Sequence, residues 1–358
     1  MNPNYIIKDY EESNWQGVSG LFKDVFGKDI DPQYFKWKNI DNPQGKSIVK
    51  IAVSGDKTIG LSSIWNFRVN FFGESISAGQ SVDAMVDKNY RKMSIFENMA
   101  MEAIEDMKKE DIQLRFNFPN EAAYLASINK INIKRVCDIP QYIKILKGRE
   151  AAGMFTGNKV VKLVGGILLG LYRKAKTISI KKAHKYDVRE IEWFDQSLDA
   201  YWDKVKKDYP IAVERSSKYL NWRYLSSPNK YKAFAAYSNN EIIGYIIAAM
   251  EEKTGKSGEN ILLGHIVDLM CSKDHKDASI ELITEAERYL KANGACAISC
   301  WMIKEWFYSE ILSKWAYLQL RSPSVLAVLP VGETVKAVGD FVYDNKNWYI
   351  TIGDSDYI

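Results

Sequence analysis

Gly79-Gln80-Ser81-Val82-Asp83-Ala84-Met85-Val86-Asp87-Lys88-Asn89-Tyr90-Arg91-Lys92-Met93-Ser94-Ile95-Phe96 is the stretch on which the reading of this 358-residue chain turns. Its first half alternates and is rich in Val and Met, the pattern of a strand. Asp87, Lys88 and Asn89 then break the pattern with turn chemistry. From Ile95 the apolar residues fall at Ile95/Phe96, Met99/Ala100, Ala103/Ile104 and Met107, the three-to-four spacing of a helix with one buried face. The segment therefore predicts strand, basic turn, helix. Arg91 and Lys92 fall where the helix begins, and a helix N-terminus presents free backbone N–H groups and a partial positive charge. Such a turn suits an anionic ligand, most often a phosphate.

The same landmarks occur twice. Phe35-Lys-Trp37-Lys is matched by Leu220-Asn-Trp222-Arg, Pro43 by Pro228, and Gly79 to Met85 by Gly264 to Met270, all at an offset of 185 (222 − 37, 268 − 83). A register kept through separate landmarks marks a duplicated domain. The expected division is a first lobe over 1–148, a connector over 149–186 and a second lobe over 187–358. In the first lobe, Tyr5–Ile7 reads as a short strand and Trp15–Phe26 as a helix. Ile48–Val53, Thr58–Ile64 and Phe67–Phe71 read as an antiparallel meander, with turns at Gly55-Asp56 and Gly73-Glu74. After the organising strand and helix come a strand over Ile112–Phe118, a short helix carrying Tyr124, and closing strands within Val136–Ile145. The fold class is α/β (α+β): two similar lobes, each with a mixed, mostly antiparallel twisted sheet flanked by helices.

Hydrophobic content of 46% and aromatic content of 13% are ample for two cores. A net charge of +4 does not argue for nucleic acid, and no basic run is interleaved with aromatics. Cys137, Cys271, Cys296 and Cys300 form no metal pattern. Cys296 and Cys300 fall in a predicted strand, where four residues rise about 13 Å, too far for a shared zinc or a disulfide. Reduced thiols and a cytoplasmic location are expected. Within 159–185, Leu163–Leu171 is apolar but too short to span a bilayer, and a lysine- and arginine-rich run follows it. That connector reads as a buried helix with a solvated basic end, or as a peripheral contact with anionic lipid.

Strand, Arg91-x-x-Ser94-x-Phe96, helix resembles the pyrophosphate loop of the GCN5-related N-acetyltransferase (GNAT) superfamily, with Ser94 where the family usually has glycine. Phe35-Lys-Trp-Lys with Asn42-Pro, Gln80-x-x-Asp83, Phe118-Pro-Asn120-Glu-Ala-Ala-Tyr124 and Trp348 with Gly353-Asp-Ser-Asp356 resemble a two-lobed branch of it. Members of that branch occur in bacterial polysaccharide gene sets. Asn132-Ile133 stands where that branch usually has a Gly-aromatic pair. The resemblance implies acetyl-CoA or another acyl-CoA as donor, no metal, and a small-molecule amine acceptor, an amino sugar. Met85 and Val86 would pair with the pantetheine arm, and Arg91, Lys92, Met93, Ser94, Ile95 and Phe96 would take the pyrophosphate, with Asn120 nearby. Tyr124 would offer its hydroxyl to the departing sulfur and Asp83 would act as base. Gln80, His265, Asp354 and Asp356 are the acceptor-binding candidates. The second lobe has Asp274 and Asp277 where the phosphates would sit, so one donor site is expected. Two other readings stay open: an aminoacyl-tRNA-dependent peptidoglycan-type transferase, and a non-catalytic binding module.

Overall fold

The computed structural model describes residues 5–154, 185–321 and 324–357. The chain divides into two compact units, 1–137 with 324–344, and 138–323 with 345–358. In chain order, the strands up to the first boundary are β1 (Ile6–Asp9), β2 (Ile48–Ser54), β3 (Lys57–Phe71), β4 (Glu74–Val86), β5 (Leu114–Asn117) and β6 (Lys134–Asp138). Next come β7 (Gln141–Ile145), β8 (Asp187–Ile191), β9 (Ile211–Val213), β10 (Tyr231–Ser238) and β11 (Glu241–Thr254). The chain finishes its strands with β12 (Asn260–Cys271), β13 (Ala297–Trp301), β14 (Leu318–Leu320) and β15 (Val325–Pro330).

The first sheet runs β1-β2-β3-β4-β5-β15-β6, and the second runs β14-β7-β13-β12-β11-β10-β8. Each is mixed: antiparallel throughout its meander, with a parallel junction at β4–β5 or β12–β13. Their registers repeat the sequence offset, since Ala78, Gly79 and Gln80 pair with β5 as Leu263, Gly264 and His265 pair with β13. The meander has one fewer break than the sequence suggests. Thr58–Ile64 and Phe67–Phe71 form one continuous strand, because Trp65-Asn66 carries on the alternation instead of turning.

The division into lobes also needs correction. β7, which follows the first copy, lies in the second sheet beside β13, and β15, which follows the second copy, lies in the first sheet beside β5. β7 and β15 are equivalent strands of the two copies, so the copies have exchanged them reciprocally. Each is an apolar run, Tyr-Ile-Lys-Ile or Val-Leu-Ala-Val-Leu, and local pattern cannot say which of two similar sheets it enters. The connector expected over 149–186 lies outside the described residues between 155 and 184, and so does the expected lipid contact over most of 159–185. Among the described residues no helix is long and apolar enough to cross a membrane, and no His, Cys, Asp and Glu group could hold a metal. All four cysteines are free thiols.

In the first unit, α1 (Trp15–Phe26) and α2 (Pro32–Asn39) precede β2, and α3 (Ile95–Lys109) and α4 (Glu121–Ile131) bracket β5. Val18, Leu21 and Phe22 of α1 pack with Phe35, Ile51, Leu61 and Met85 in one apolar cluster. Ile95 and Met99 of α3 pack with Ala52 and Ile59 in a separate one. These two clusters support the central strands at the level where β4 ends.

Candidate active site

β4 and β5 part company in mid-strand. Their parallel pairing covers Ala78↔Leu114, Gly79↔Arg115 and Gln80↔Phe116 and then stops, while β4 stays paired with β3 as far as Gly60↔Val86. Asn117 closes the base of the resulting fork, its Oδ1 accepting the Ser81 N–H at 3.0 Å. Beyond that point the β5-facing edge of β4 has no partner strand among the described residues. The Asp87 N–H donates to Ile59 O at 2.9 Å, so the neighbouring pair Gly60–Val86 is of the non-hydrogen-bonded kind. Val86 therefore turns its own N–H and C=O away from β3, into the fork.

A bulge sits at the same level. Ser63 pairs with Val82 and Leu61 with Met85, leaving Asp83 and Ala84 opposite Ser62 alone. Asp83 has φ +51°, a left-handed conformation that costs a non-glycine residue about 1–2 kcal/mol. Its carboxylate is ion-paired with Lys38 of α2 at 3.0 Å, and that ammonium, almost wholly buried, also lies 5.6 Å from the Trp65 ring centroid. Met85 points into the α1 core, so only its backbone is available for a ligand.

The turn after β4 is exposed at Arg91, Lys92 and Ser94. Lys92 has φ +73° and Ser94 φ +53°, and Ser94 gives no side-chain cap to α3. The N–H groups of Ile95, Phe96 and the following residue thus face outward from a 15-residue helix without an intrahelical partner. Tyr5 braces the turn, accepting from Asn98 Nδ2 at 2.6 Å and donating to the Met93 carbonyl at 3.4 Å. Both positions where the sequence departs from glycine are left-handed: Ser94, and Asn132 with φ +54° at the end of α4. The backbone keeps the conformation glycine would have given.

The other expected residues fall into different settings. Asn120 caps α4, its Oδ1 accepting the Ala123 N–H at 2.9 Å. Tyr124 is buried, its hydroxyl accepting the Arg135 N–H at 3.3 Å and its ring packed with Ala100 and Ile104 of α3. Gln80 is buried in β4. His265 is buried in the second sheet with Nε2 2.9 Å from Glu251 Oε2, and burial pushes its imidazole below the ordinary pKa. Asp354 does not lie open to an acceptor. It is 1% exposed and bound to Arg215 at 2.8 Å, which also pairs with Asp268 at 3.0 Å. Asp356 is exposed near the end of the chain. Lys38, Asn117 and Tyr5 were not foreseen as site residues. Lys38 stood inside the quoted Phe-Lys-Trp-Lys motif, but nothing in the motif says which lysine is buried.

The second unit has the same fork, filled. Cys271 stands where Val86 stands (271 − 86 = 185), and its N–H donates to the Tyr308 hydroxyl at 2.6 Å while its carbonyl accepts from Tyr209 at 2.6 Å. Tyr349 donates to the Leu269 carbonyl. Gly353 sits so close that a Cβ there would stand 3.0 Å from the Val267 carbonyl and 2.1 Å from the Tyr224 hydroxyl. The equivalent helix start, before Ala278, is occupied by acids. Asp277 accepts from the Tyr186 hydroxyl at 2.8 Å, and Glu281 accepts from the Lys185 N–H at 2.8 Å.

Residues 6–129 match the sequence model of an acetyltransferase (GNAT) domain. No curated protein matches the sequence. Among solved structures, the chain is similar to a probable N-acyltransferase from Enterococcus faecalis V583, with a TM-score of 0.63 at 10% identity over 92% of this chain and 72% of that one. It is similar in the same measure, 0.63 at 10% identity, to a GCN5-related N-acetyltransferase from Anabaena variabilis, over 92% of this chain and 73% of that one. The N-myristoyltransferase of Saccharomyces cerevisiae, solved with bound myristoyl-CoA, gives 0.62 at 10% identity over 91% and 79%. The fold is thus a tandem GNAT-like one. The match to the acetyltransferase (GNAT) domain model falls within the first unit.

Proposed function

We propose that the protein is an acyl-CoA-dependent N-acyltransferase with a single donor site, in the first unit, and an amino sugar as acceptor. The observation that carries this reading is the contrast at equivalent positions. Cys271 and the helix start before Ala278 are satisfied by the chain's own tyrosines and acids, whereas among the described residues no strand or side chain is bonded to Val86 in the fork, and Ser94 gives α3 no side-chain cap. A thioester donor bound there supplies an activated acyl carbon and a thiolate leaving group.

This chain's residues then have defined tasks. The amides from Lys92 to Phe96 hold the diphosphate, and Arg91 adds a charge-assisted contact. The Met85–Val86 backbone lies along the pantetheine arm, and the Val86 N–H is directed at the thioester carbonyl oxygen, where negative charge grows during attack. The acceptor nitrogen forms a bond to the acyl carbon as the carbon–sulfur bond breaks. Its proton goes to Asp83, directly or through water, with Lys38 holding that carboxylate on the bulge. Tyr124 stays in the reading as the proton source for the thiolate, on the helix that borders the fork. Gln80 lines the strand that leads into it.

The test is calorimetric titration with acetyl-CoA, followed by thiol release with a panel of free and nucleotide-linked amino sugars. Arg91→Glu should weaken acetyl-CoA binding about 10- to 100-fold. Absence of binding at millimolar acetyl-CoA would overturn the donor assignment. Binding without transfer to any amino sugar would overturn the acceptor.

A further inference from the structure

The lower end of the first unit's fork is made by one side chain. β5 stays paired with β15 as far as Asn117↔Ala327, and the Val325 N–H donates to Pro119 O at 3.0 Å. The end of β5 is thereby held to β15 while β4 stays with β3, so the gap between them cannot zip closed. The Asn117 side chain reaches across its base, where Oδ1 accepts the Ser81 N–H. Above it the strand edge is reached by solvent: Ser81, Asp83, Val86 and Asn117 are half-buried, and Ala84 is exposed. In the second unit the corresponding residue is Cys300, a buried free thiol, because Ser299 pairs with His265 as Phe116 pairs with Gln80.

This inference rests on the donor site described above. With the diphosphate on the Lys92–Phe96 turn and the thioester at Val86, the acyl chain runs on down β4 towards Asn117. Val86 stands five residues above Ser81 (86 − 81), and the bulge at Asp83-Ala84 absorbs one of them. Four strand steps of about 3.3 Å make the fork about 13 Å deep. A terminal methyl stops about 4 Å from the atom it touches, which leaves about 9 Å for the chain. The three bonds of an extended backbone residue cover about 3.5 Å, so a carbon chain advances about 1.2 Å per bond.

We propose that Asn117 is the floor of the acyl channel and limits the donor to acyl groups of up to about eight carbons. A longer chain meets the Asn117 amide. It must either crowd that amide or push it off the Ser81 N–H, and both cost affinity.

Calorimetric titration of the full chain with butyryl-, octanoyl- and decanoyl-CoA, below their micellar concentrations, reads the limit in binding alone. The parent should bind butyryl- and octanoyl-CoA, and decanoyl-CoA at least roughly tenfold more weakly than octanoyl-CoA. Asn117→Gly frees about 2.5 Å, room for about two carbons, and should remove that drop. Asn117→Gln, one methylene longer, should move the drop to octanoyl-CoA while butyryl-CoA still binds. Butyryl-CoA binding by each variant shows that it is folded, so the affinity ratios report the floor and not stability. If the parent binds no acyl-CoA, the donor assignment falls and this inference with it. If the parent binds decanoyl-CoA as tightly as octanoyl-CoA, or the ratios stay unchanged in both variants, the floor alone is overturned.

Discussion

Replacing Arg115 by methionine should stabilise the first unit. Arg115 lies on β5 between Gly79 of β4 and Leu329 of β15, is 0% exposed, and has no hydrogen-bond partner among the described residues for Nε, Nη1 or Nη2. Burial alone pushes its pKa down from the usual 12.5 to about 10. That difference, 2.5 pKa units (12.5 − 10), corresponds to about 3 kcal/mol set against the charged form in the folded protein. Methionine keeps an unbranched apolar stem at the same depth and removes the charge. Its smaller volume gives back part of the gain as a small cavity. The net expectation is a stabilisation of about 1–3 kcal/mol, in the range seen when buried charges are replaced by apolar side chains. Urea unfolding followed by circular dichroism and tryptophan fluorescence reads it, with the two units treated as separate transitions where they separate. A loss of more than about 1 kcal/mol would refute the reasoning, because it would mean that the guanidinium is bonded in the folded protein.

Two further outcomes follow from particular residues. Ser94→Gly removes a left-handed serine, a gain of about 1–2 kcal/mol, and returns about 0.5–1 kcal/mol through the freer unfolded chain. The variant should be more stable by about 0.5–1 kcal/mol and bind acetyl-CoA at least as tightly; a clear drop in melting temperature contradicts this. His265→Gln places in the second unit the residue that Gln80 supplies in the first. Burial lowers the His265 pKa in the folded protein, so the unfolded chain binds the proton more readily. Stability is therefore lost as pH falls below the ordinary histidine value towards the folded one. Between pH 7.5 and 5.5, a window above the titration of Glu251, the parent should lose more stability in urea unfolding than His265→Gln; equal slopes would refute the assignment.

Much of this was legible in the residues. The alternation from Gly79 to Val86 and the spacing from Ile95 to Met107 named β4 and α3, and the 185-residue offset named the duplication before any coordinates. Pairing was not legible in the same way. The exchange of β7 and β15 is a choice between two nearly equivalent sheets, made by tertiary contacts and invisible to a local pattern. The site divided along the same line. A turn with left-handed positions declares itself through its usual glycines, even when serine and asparagine replace them. The fates of Asp354 and His265 depended on which partners came within 3 Å, Arg215 for one and Glu251 for the other. Distances across the fold decide that, and sequence spacing does not report them.

The reciprocal strand exchange has a consequence for how the protein is made. Residues up to 137 emerge from the ribosome with a gap in their sheet between β5 and β6, and the strand that fills it ends at Pro330. At 5–20 residues per second, the 193 residues from Asp138 to Pro330 (330 − 137) take roughly 10–40 s to synthesise. Through that interval the edge of β5 is an unpaired template, open to any extended segment, including the same strand of a neighbouring nascent chain. A single polypeptide that carries both donors and both recipients resembles a swapped dimer fused end to end, and the fusion keeps the correct partner always at hand.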